Sequence, residues 1–323
     1  MNLPSVTVLI PARPEQAEIK AVTASRTLDY PADKLEILVA RGKQPSVQRN
    51  AALQAARGEI IYFLDDDSVP QPGNLRRAIA HFSDPKVKMV GGPNLCPAEA
   101  TGLEKMFALV LGTWLAFGPS RARYIPVGSV RESNEKELIL CNLLARREDM
   151  LALGGFNEAL YPNEENALMD QFQKQGGKLL YDPDIFVFRR PRSSLQAFAK
   201  MLRMYGRGRA EQVRVHPTPG SAPNFVPPLF LIYLLLLPFV VFLAPSIGKY
   251  ALMPLALYFL VVLGQALLLI PRGGIGPALG AIPLIVLTHI LYGYGFWRGL
   301  FTTLKKHPHE RPPTDVKLEA VAK

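Results

Sequence analysis

Three consecutive aspartates, Asp65, Asp66 and Asp67, follow the bulky run Ile60 to Leu64 (IIYFL). Carboxylates this close repel one another unless something positive sits among them. A hard divalent cation, Mg²⁺ or Mn²⁺, held by Asp65 and Asp67 and shared with substrate phosphates, would supply that charge. A solvated turn is the plainer alternative, because aspartate is common in turns. A second acidic cluster, Glu164 and Glu165, lies in Pro162-Asn163-Glu164-Glu165-Asn166 and opens a predicted helix running to Lys174. Carboxylates at a helix start are favoured by its dipole alone. The chemical alternative is a general base for an acceptor hydroxyl.

Positive charge is concentrated as well. The chain has 323 residues and a net charge of +10, and between Arg189 and Arg214 eight basic residues face one acid, Glu211. That segment precedes a long apolar region, so a diphosphate and anionic lipid headgroups suit it better than nucleic acid. Other chemistries find little support. The five histidines form no HExxH and pair with no cysteine at zinc spacing. No Gly-x-Ser-x-Gly elbow occurs, and Gly206-Arg207-Gly208 lacks the ending of a phosphate loop. Cys96 and Cys141 read as core thiols of a reducing compartment.

The positioning elements are legible in outline. Val6 to Ile10, Glu36 to Val39 and Ile60 to Leu64 are short β-rich runs. Between them, Ser46 is a predicted N-cap for a helix over 47–57 ended by Gly58, and Pro72 is predicted to open a helix running to Phe82. This alternation predicts an α/β domain whose central sheet is mostly parallel, with helices on both faces. Ligands in such sheets sit beyond the carboxyl ends of the strands, where Asp65 to Asp67 fall.

From about Phe225 the chain changes character. Roughly 225–244, 250–270 and 277–300 each reach the ~20 apolar residues that cross a bilayer. The expected organisation is a cytoplasmic domain over 1–215, a linker over 216–224, a membrane domain over 225–300 and a mobile polar tail over 301–323. No apolar leader follows Met1, so the first domain is expected to face the cytoplasm from the inner membrane. Three crossings would carry Lys305, Lys306 and Arg311 to the opposite face, against the positive-inside tendency. Pro227, Pro228 and Pro238 leave room for a re-entrant first segment. Residues 193–214 read as a basic amphipathic helix at the membrane interface, with Lys200, Arg203, Arg207 and Arg214 on one side. Thr101 to Gly118 is too short to span but apolar enough to graze the bilayer. His289 reads either as functional or as a helix–helix hydrogen bond.

Taken in order, VTVLIPARPE, QRNAALQAARGEIIYFLDDD and GGFNEALYPNEEN resemble the inverting family 2 glycosyltransferases, in particular membrane-attached ones that build exopolysaccharides and lipid-linked glycans. The resemblance runs from about Val6 to Arg209. It implies a GT-A fold, a divalent metal on Asp65 and Asp67, and Glu165 as general base with Glu164 beside it. It also implies a nucleotide-sugar donor near Pro11, Arg13, Glu15, Arg49, Asp65, Asp66, Arg190 and Arg203, and a polyprenyl-linked or other membrane-surface acceptor. Departures accompany it. Ala40-Arg41-Gly42 stands where the family shows Asp-Asp-Gly, whose first aspartate reads the base. Pro14 replaces an asparagine, and Arg189 and Arg190 stand where a histidine is frequent. The Gln-x-x-Arg-Trp motif of processive synthases is absent, which favours single-sugar transfer. A polyprenyl-phosphate glycosyl synthase and an inactive membrane-anchored scaffold are the rival readings.

Overall fold

The computed structural model describes residues 3–158, 164–215, 217, 219–303 and 315–323. The chain divides into two compact units. One comprises Met1–Pro97, Pro119–Arg190 and Lys305–Lys323; the other comprises Ala98–Gly118 and Pro191–Leu304. The division differs from the expected boundary at 215, because the basic helix and the segment 98–118 group with the apolar helices.

The first unit holds eleven strands among the described residues: β1 (Val6–Ala12), β2 (Leu35–Arg41), β3 (Ile60–Leu64), β4 (Val69–Pro70), β5 (Val87–Gly91), β6 (Asn94–Leu95), β7 (Arg131–Ser133), β8 (Asn142–Arg146), β9 (Lys178–Tyr181), β10 (Val187–Phe188) and β11 (Lys317–Val321). Eight form one sheet in the order β11-β2-β1-β3-β8-β5-β9-β7, and β4-β10-β6 form a second. The expected parallel pairing holds across β2-β1-β3 and between β5 and β9, while β8, β7 and β11 pair antiparallel. Both faces are covered. β3 sends Ile60, Tyr62 and Leu64 into one core and Ile61 and Phe63 into the other. Burial on both faces is why these strands read as continuous apolar runs.

Helices α1 (Lys20–Ser25), α2 (Pro45–Ala55) and α3 (Asn74–His81) lie in this unit. Ser46 is not the cap of α2: Gln44 precedes the first turn and Pro45 occupies it, where its missing amide donor costs nothing. Likewise α3 begins after Gly73, two residues beyond Pro72. The expected mobile tail contains β11, which pairs with β2 from Lys317 opposite Arg41 to Val321 opposite Ile37. Lys305, Lys306 and Arg311 lie outside the described residues.

The second unit begins with α4 (Gly102–Leu111) and α5 (Trp114–Phe117). A capping box opens α4: the Thr101 side chain takes the Glu104 amide, and Glu104 returns to the Thr101 amide. Helices α6 (Arg147–Ala152) and α7 (Glu164–Lys174) belong to the first unit. The second resumes with α8 (Leu195–Val215), α9 (Val226–Leu243), α10 (Pro245–Ala251), α11 (Met253–Gly273) and α12 (Ile275–Phe301). The expected linker contains a 3₁₀ run over Pro219–Phe225; His216 lies outside the described residues. Three helical stretches, Ser221–Leu243, Pro245–Gly273 and Ile275–Phe301, are long and apolar enough to cross a membrane.

The basic helix α8 packs on α12 through small residues. A side chain at Gly206, Gly295 or Gly299 would run into backbone of the facing helix, so only glycine permits this approach. Phe198 of α8 stacks on Phe107 of α4 with ring centroids 4.3 Å apart. Lys200, Arg203 and Arg214 remain exposed. His289 joins three helices: its Nε2 donates to the Leu115 carbonyl at 2.9 Å, which leaves Nδ1 to accept from the Tyr258 hydroxyl at 2.8 Å. The helix–helix reading of His289 therefore describes its contacts.

Candidate active site

The three aspartates emerge from β3 at the carboxyl end of the parallel β2-β1-β3 segment. A tight turn follows, in which the Ser68 amide donates to the Asp65 carbonyl at 3.0 Å and the Ser68 hydroxyl meets the Asp65 amide at 3.3 Å. The chain then enters β4. β4 pairs with β10, Val69 opposite Phe188. That register brings the residue after β10, Arg189, back beside the aspartates. Its Nη1 lies 3.0 Å from Asp65 Oδ2, and its Nε donates to Asp67 Oδ1 at 2.5 Å.

A second guanidinium enters from α2. Arg49, only 6% exposed, donates from Nη2 to Asp65 Oδ1 at 2.9 Å and from Nη1 to Glu164 Oε1 at 3.2 Å. One side chain thus ties the aspartates after β3 to the start of α7. Its neighbour Asn50 holds the loop leading there. The Asn50 side-chain amide donates to the Phe156 carbonyl and to Glu158, each at 2.9 Å, and its Oδ1 accepts the Phe156 amide at 2.8 Å. The approach requires Gly155, whose φ is +77° and where an added Cβ would collide with Asn50 Oδ1.

The electrostatics follow from this arrangement. Burial raises the Asp67 carboxyl above its usual range, with Asp65 and Asp66 adding to the rise and Arg189 opposing it. Burial disfavours the charged form of Arg189, yet Asp65 and Asp67 outweigh it and hold the guanidinium firmly protonated. Burial pushes the Glu164 carboxyl up to about 7, Glu165 adds to this, and Arg49 pulls against it. The Cys141 thiol, buried under the same site, is pushed up to about 11 by burial and is not poised as a nucleophile. Neither cysteine is in a disulfide.

The predicted residues divide as follows. Asp65, Asp67, Arg49 and Glu164 form one connected cluster, with Asp66 between the two aspartates and half-buried. Glu165 is half-buried beside Glu164; Pro162 and Asn163 lie outside the described residues. Pro11 is buried in β1, whereas Arg13 and Glu15 are exposed in the loop that follows it. Arg190 is exposed next to Arg189. Arg203 belongs to the second unit, on α8. Arg189, one residue before Arg190, grips both aspartates. Only the β4–β10 register reveals that pairing.

Among the described residues no group of three or more His, Cys, Asp or Glu side chains is arranged to hold a metal ion. Two carboxylates after one strand nevertheless fit a hard divalent ion that draws its remaining ligands from phosphate and water. Arg189 shares those oxygens, so it would have to give ground to such an ion.

Residues 30–106 match the family model described as Glycosyl transferase family 2. The pre-mycofactocin glycosyltransferase of Mycobacterium tuberculosis, in strains CDC 1551 / Oshkosh and ATCC 25618 / H37Rv, is 27% identical over 175 residues. The match covers 54% of this chain but only 36% of that relative's length. Among solved structures, the mannosyltransferase PcManGT from Pyrobaculum calidifontis, in complex with GDP-Man and Mn²⁺, is similar with a TM-score of 0.54 and 19% identity. That likeness covers 92% of this chain and 87% of the other. At such identity it speaks to the fold, which is GT-A-like. Residues 30–106 are thus similar to glycosyltransferase family 2, and the chain has a GT-A-like α/β fold.

Proposed function

We propose that this chain transfers a single sugar, with inversion, from a nucleoside-diphosphate sugar to a membrane-associated glycan acceptor, in keeping with a polyprenyl-linked substrate. The observation that carries the reading is Arg49. By bonding Asp65 and Glu164 together, it makes one site of the acidic turn after β3 and the acidic start of α7. The donor diphosphate belongs at the turn, beyond the carboxyl ends of the strands. The acceptor belongs at α7.

In this scheme the acceptor oxygen attacks the anomeric carbon from the face opposite the diphosphate. Its bond to carbon forms as the carbon–oxygen bond to the diphosphate breaks. Glu165 takes the hydroxyl proton, a role that typically contributes about 10²–10⁴-fold. Glu164, anchored by Arg49, positions the helix start that carries Glu165. Negative charge gathers on the departing diphosphate, where Arg189 offers a planar fork of donors that stays charged at any working pH. A divalent ion such as Mg²⁺ or Mn²⁺, held by Asp65 and Asp67, would add electrostatic stabilisation of the same oxygens.

Membrane attachment rests on the three long apolar helical stretches and on α8, whose exposed basic residues suit anionic headgroups. An inner-membrane location with the catalytic domain in the cytoplasm accords with this use of a cytoplasmic donor. The reading is tested by incubating full-length protein with a panel of nucleotide-sugars and a polyprenyl-linked acceptor, and measuring nucleoside diphosphate release. Acceptor-stimulated release from one donor is expected. Release from none, with or without added Mn²⁺, refutes it.

A further inference from the structure

A cavity of about 450 Å³ opens between the loop 14–17, Arg41 at the end of β2, and three residues at or near the start of β11: Asp315, Lys317 and Glu319. Its size falls within the roughly 300–1,000 Å³ of small-molecule sites. Its location follows from register. β11 runs antiparallel to β2, and Lys317 pairs with Arg41, so the start of β11 stands at the carboxyl end of β2. That end is where an α/β sheet receives its ligand. Asp65 follows β3, and β2 and β3 flank β1 on either side. The cavity and the diphosphate turn are therefore about two strand spacings apart, roughly 10 Å. A nucleoside diphosphate laid across β2-β1-β3 would have its nucleoside in this cavity when its phosphates are at Asp65.

From this geometry we infer that β11 is a working wall of the donor site and that Asp315 and Glu319 help to hold the nucleoside. The inference rests on the glycosyltransferase reading above. Glu319 acts as a positioning residue. Its carboxylate takes Arg41 Nε at 2.9 Å, while Arg41 Nη1 donates to the carbonyls of Gln16 at 2.7 Å and Arg13 at 3.2 Å. Through Arg41, the C-terminal strand fixes the very loop that carries Glu15. Lys317 Nζ closes on the other oxygen of Glu319 at 3.2 Å. Asp315 and Glu15 are both exposed at the cavity. Ionised carboxylates only accept hydrogen bonds, so they suit ribose hydroxyls and base N–H groups. The buried Ala40 brings no polar side chain to this end of β2, and the recognition falls to residues at the opposite end of the sequence.

The test uses full-length protein in detergent and measures binding of UDP, GDP, ADP and CDP beside inorganic pyrophosphate. Asp315→Asn and Glu319→Gln should each weaken the preferred nucleoside diphosphate about tenfold while leaving pyrophosphate binding unchanged. Melting temperature monitors folding, and Glu319→Asp should recover part of the Glu319→Gln loss. Nucleoside diphosphate affinity equal to wild type in both variants overturns the role of β11 and leaves the glycosyltransferase reading standing. A wild-type protein that binds none of the four nucleotides overturns both. A parallel loss of pyrophosphate binding would mean that β11 merely props up the sheet, and would also overturn the inference.

Discussion

Replacing Arg189 by methionine should separate metal affinity from turnover. The guanidinium holds Asp65 at 3.0 Å and Asp67 at 2.5 Å, the same oxygens a divalent ion would use. All three side chains are partly open to solvent, at 24%, 22% and 44% for Arg189, Asp65 and Asp67. Each ion pair is therefore discounted to about 1 kcal/mol. An arriving cation must displace both, a cost of about 2 kcal/mol. At about 1.4 kcal/mol per decade, its removal should tighten Mn²⁺ binding between tenfold and thirtyfold. Turnover should move the other way, because the departing diphosphate loses a bidentate donor. Titration of the full-length protein with Mn²⁺, followed by electron paramagnetic resonance at pH 7.5, measures the first effect directly. Arg189→Lys, which keeps one charge but not the fork, should fall between. Mn²⁺ affinity in Arg189→Met that matches or falls below wild type would refute competition, and would show the guanidinium organising the aspartates for the ion.

Glu165→Gln should lower turnover by about 10²–10⁴-fold with donor binding nearly unchanged, as read by steady-state kinetics beside nucleotide binding; near-normal transfer would favour an acceptor that needs no deprotonation. Arg49→Met should cost about 1–3 kcal/mol of stability, since it leaves the buried Glu164 carboxyl without its hydrogen-bond donor; denaturant unfolding showing no loss would count against the idea. Glu164 also predicts a pH trend. A carboxyl whose folded value is raised to about 7 contributes stability that is fully present below its ordinary value of 4.5 and is lost as pH climbs through 7. Glu164→Gln should flatten that part of the stability profile, and an unchanged slope between pH 4.5 and 7 would count against the assignment.

Much of the frame could be read from sequence because burial writes itself into composition. β1, β2 and β3 are covered on both faces, so each is a continuous apolar run. The apolar helices were visible for a related reason, their length in lipid-like residues. Local chemistry was less decisive. Ser46 has the right side chain for a cap, but Pro45 already fits the first turn of α2, and the helix begins two residues earlier than expected. Strands β4, β6 and β10 are two residues long and exist only through one another, so the pairing of Arg189 with Asp65 and Asp67 could not be read without their register. The same holds for β11. Lys317 to Val321 reads as polar tail, and its extended form is set by the open edge of β2. The link from Arg49 to Glu164 spans 115 positions, a distance that no local pattern encodes.

Strand β11 also constrains how the polypeptide threads a bilayer. It shares a sheet with β1, β2 and β3, while all three apolar stretches lie between Arg190 and Lys317. A sheet of this kind has no place in hydrocarbon, where open strand edges leave backbone groups unpaired. If these stretches enter a bilayer, the chain must leave and return on one face, so its complete crossings are even in number. Three apolar stretches then cannot mean three crossings. Helices α11 and α12, joined through Gly274 alone at φ +81°, form the natural out-and-back pair. That leaves α9, with Pro238 inside it, as the stretch that would make no complete crossing of its own. A reporter fused after Lys323 would then sit in the same compartment as one fused before Met1, and evidence of opposite compartments would require β11 to be torn from β2.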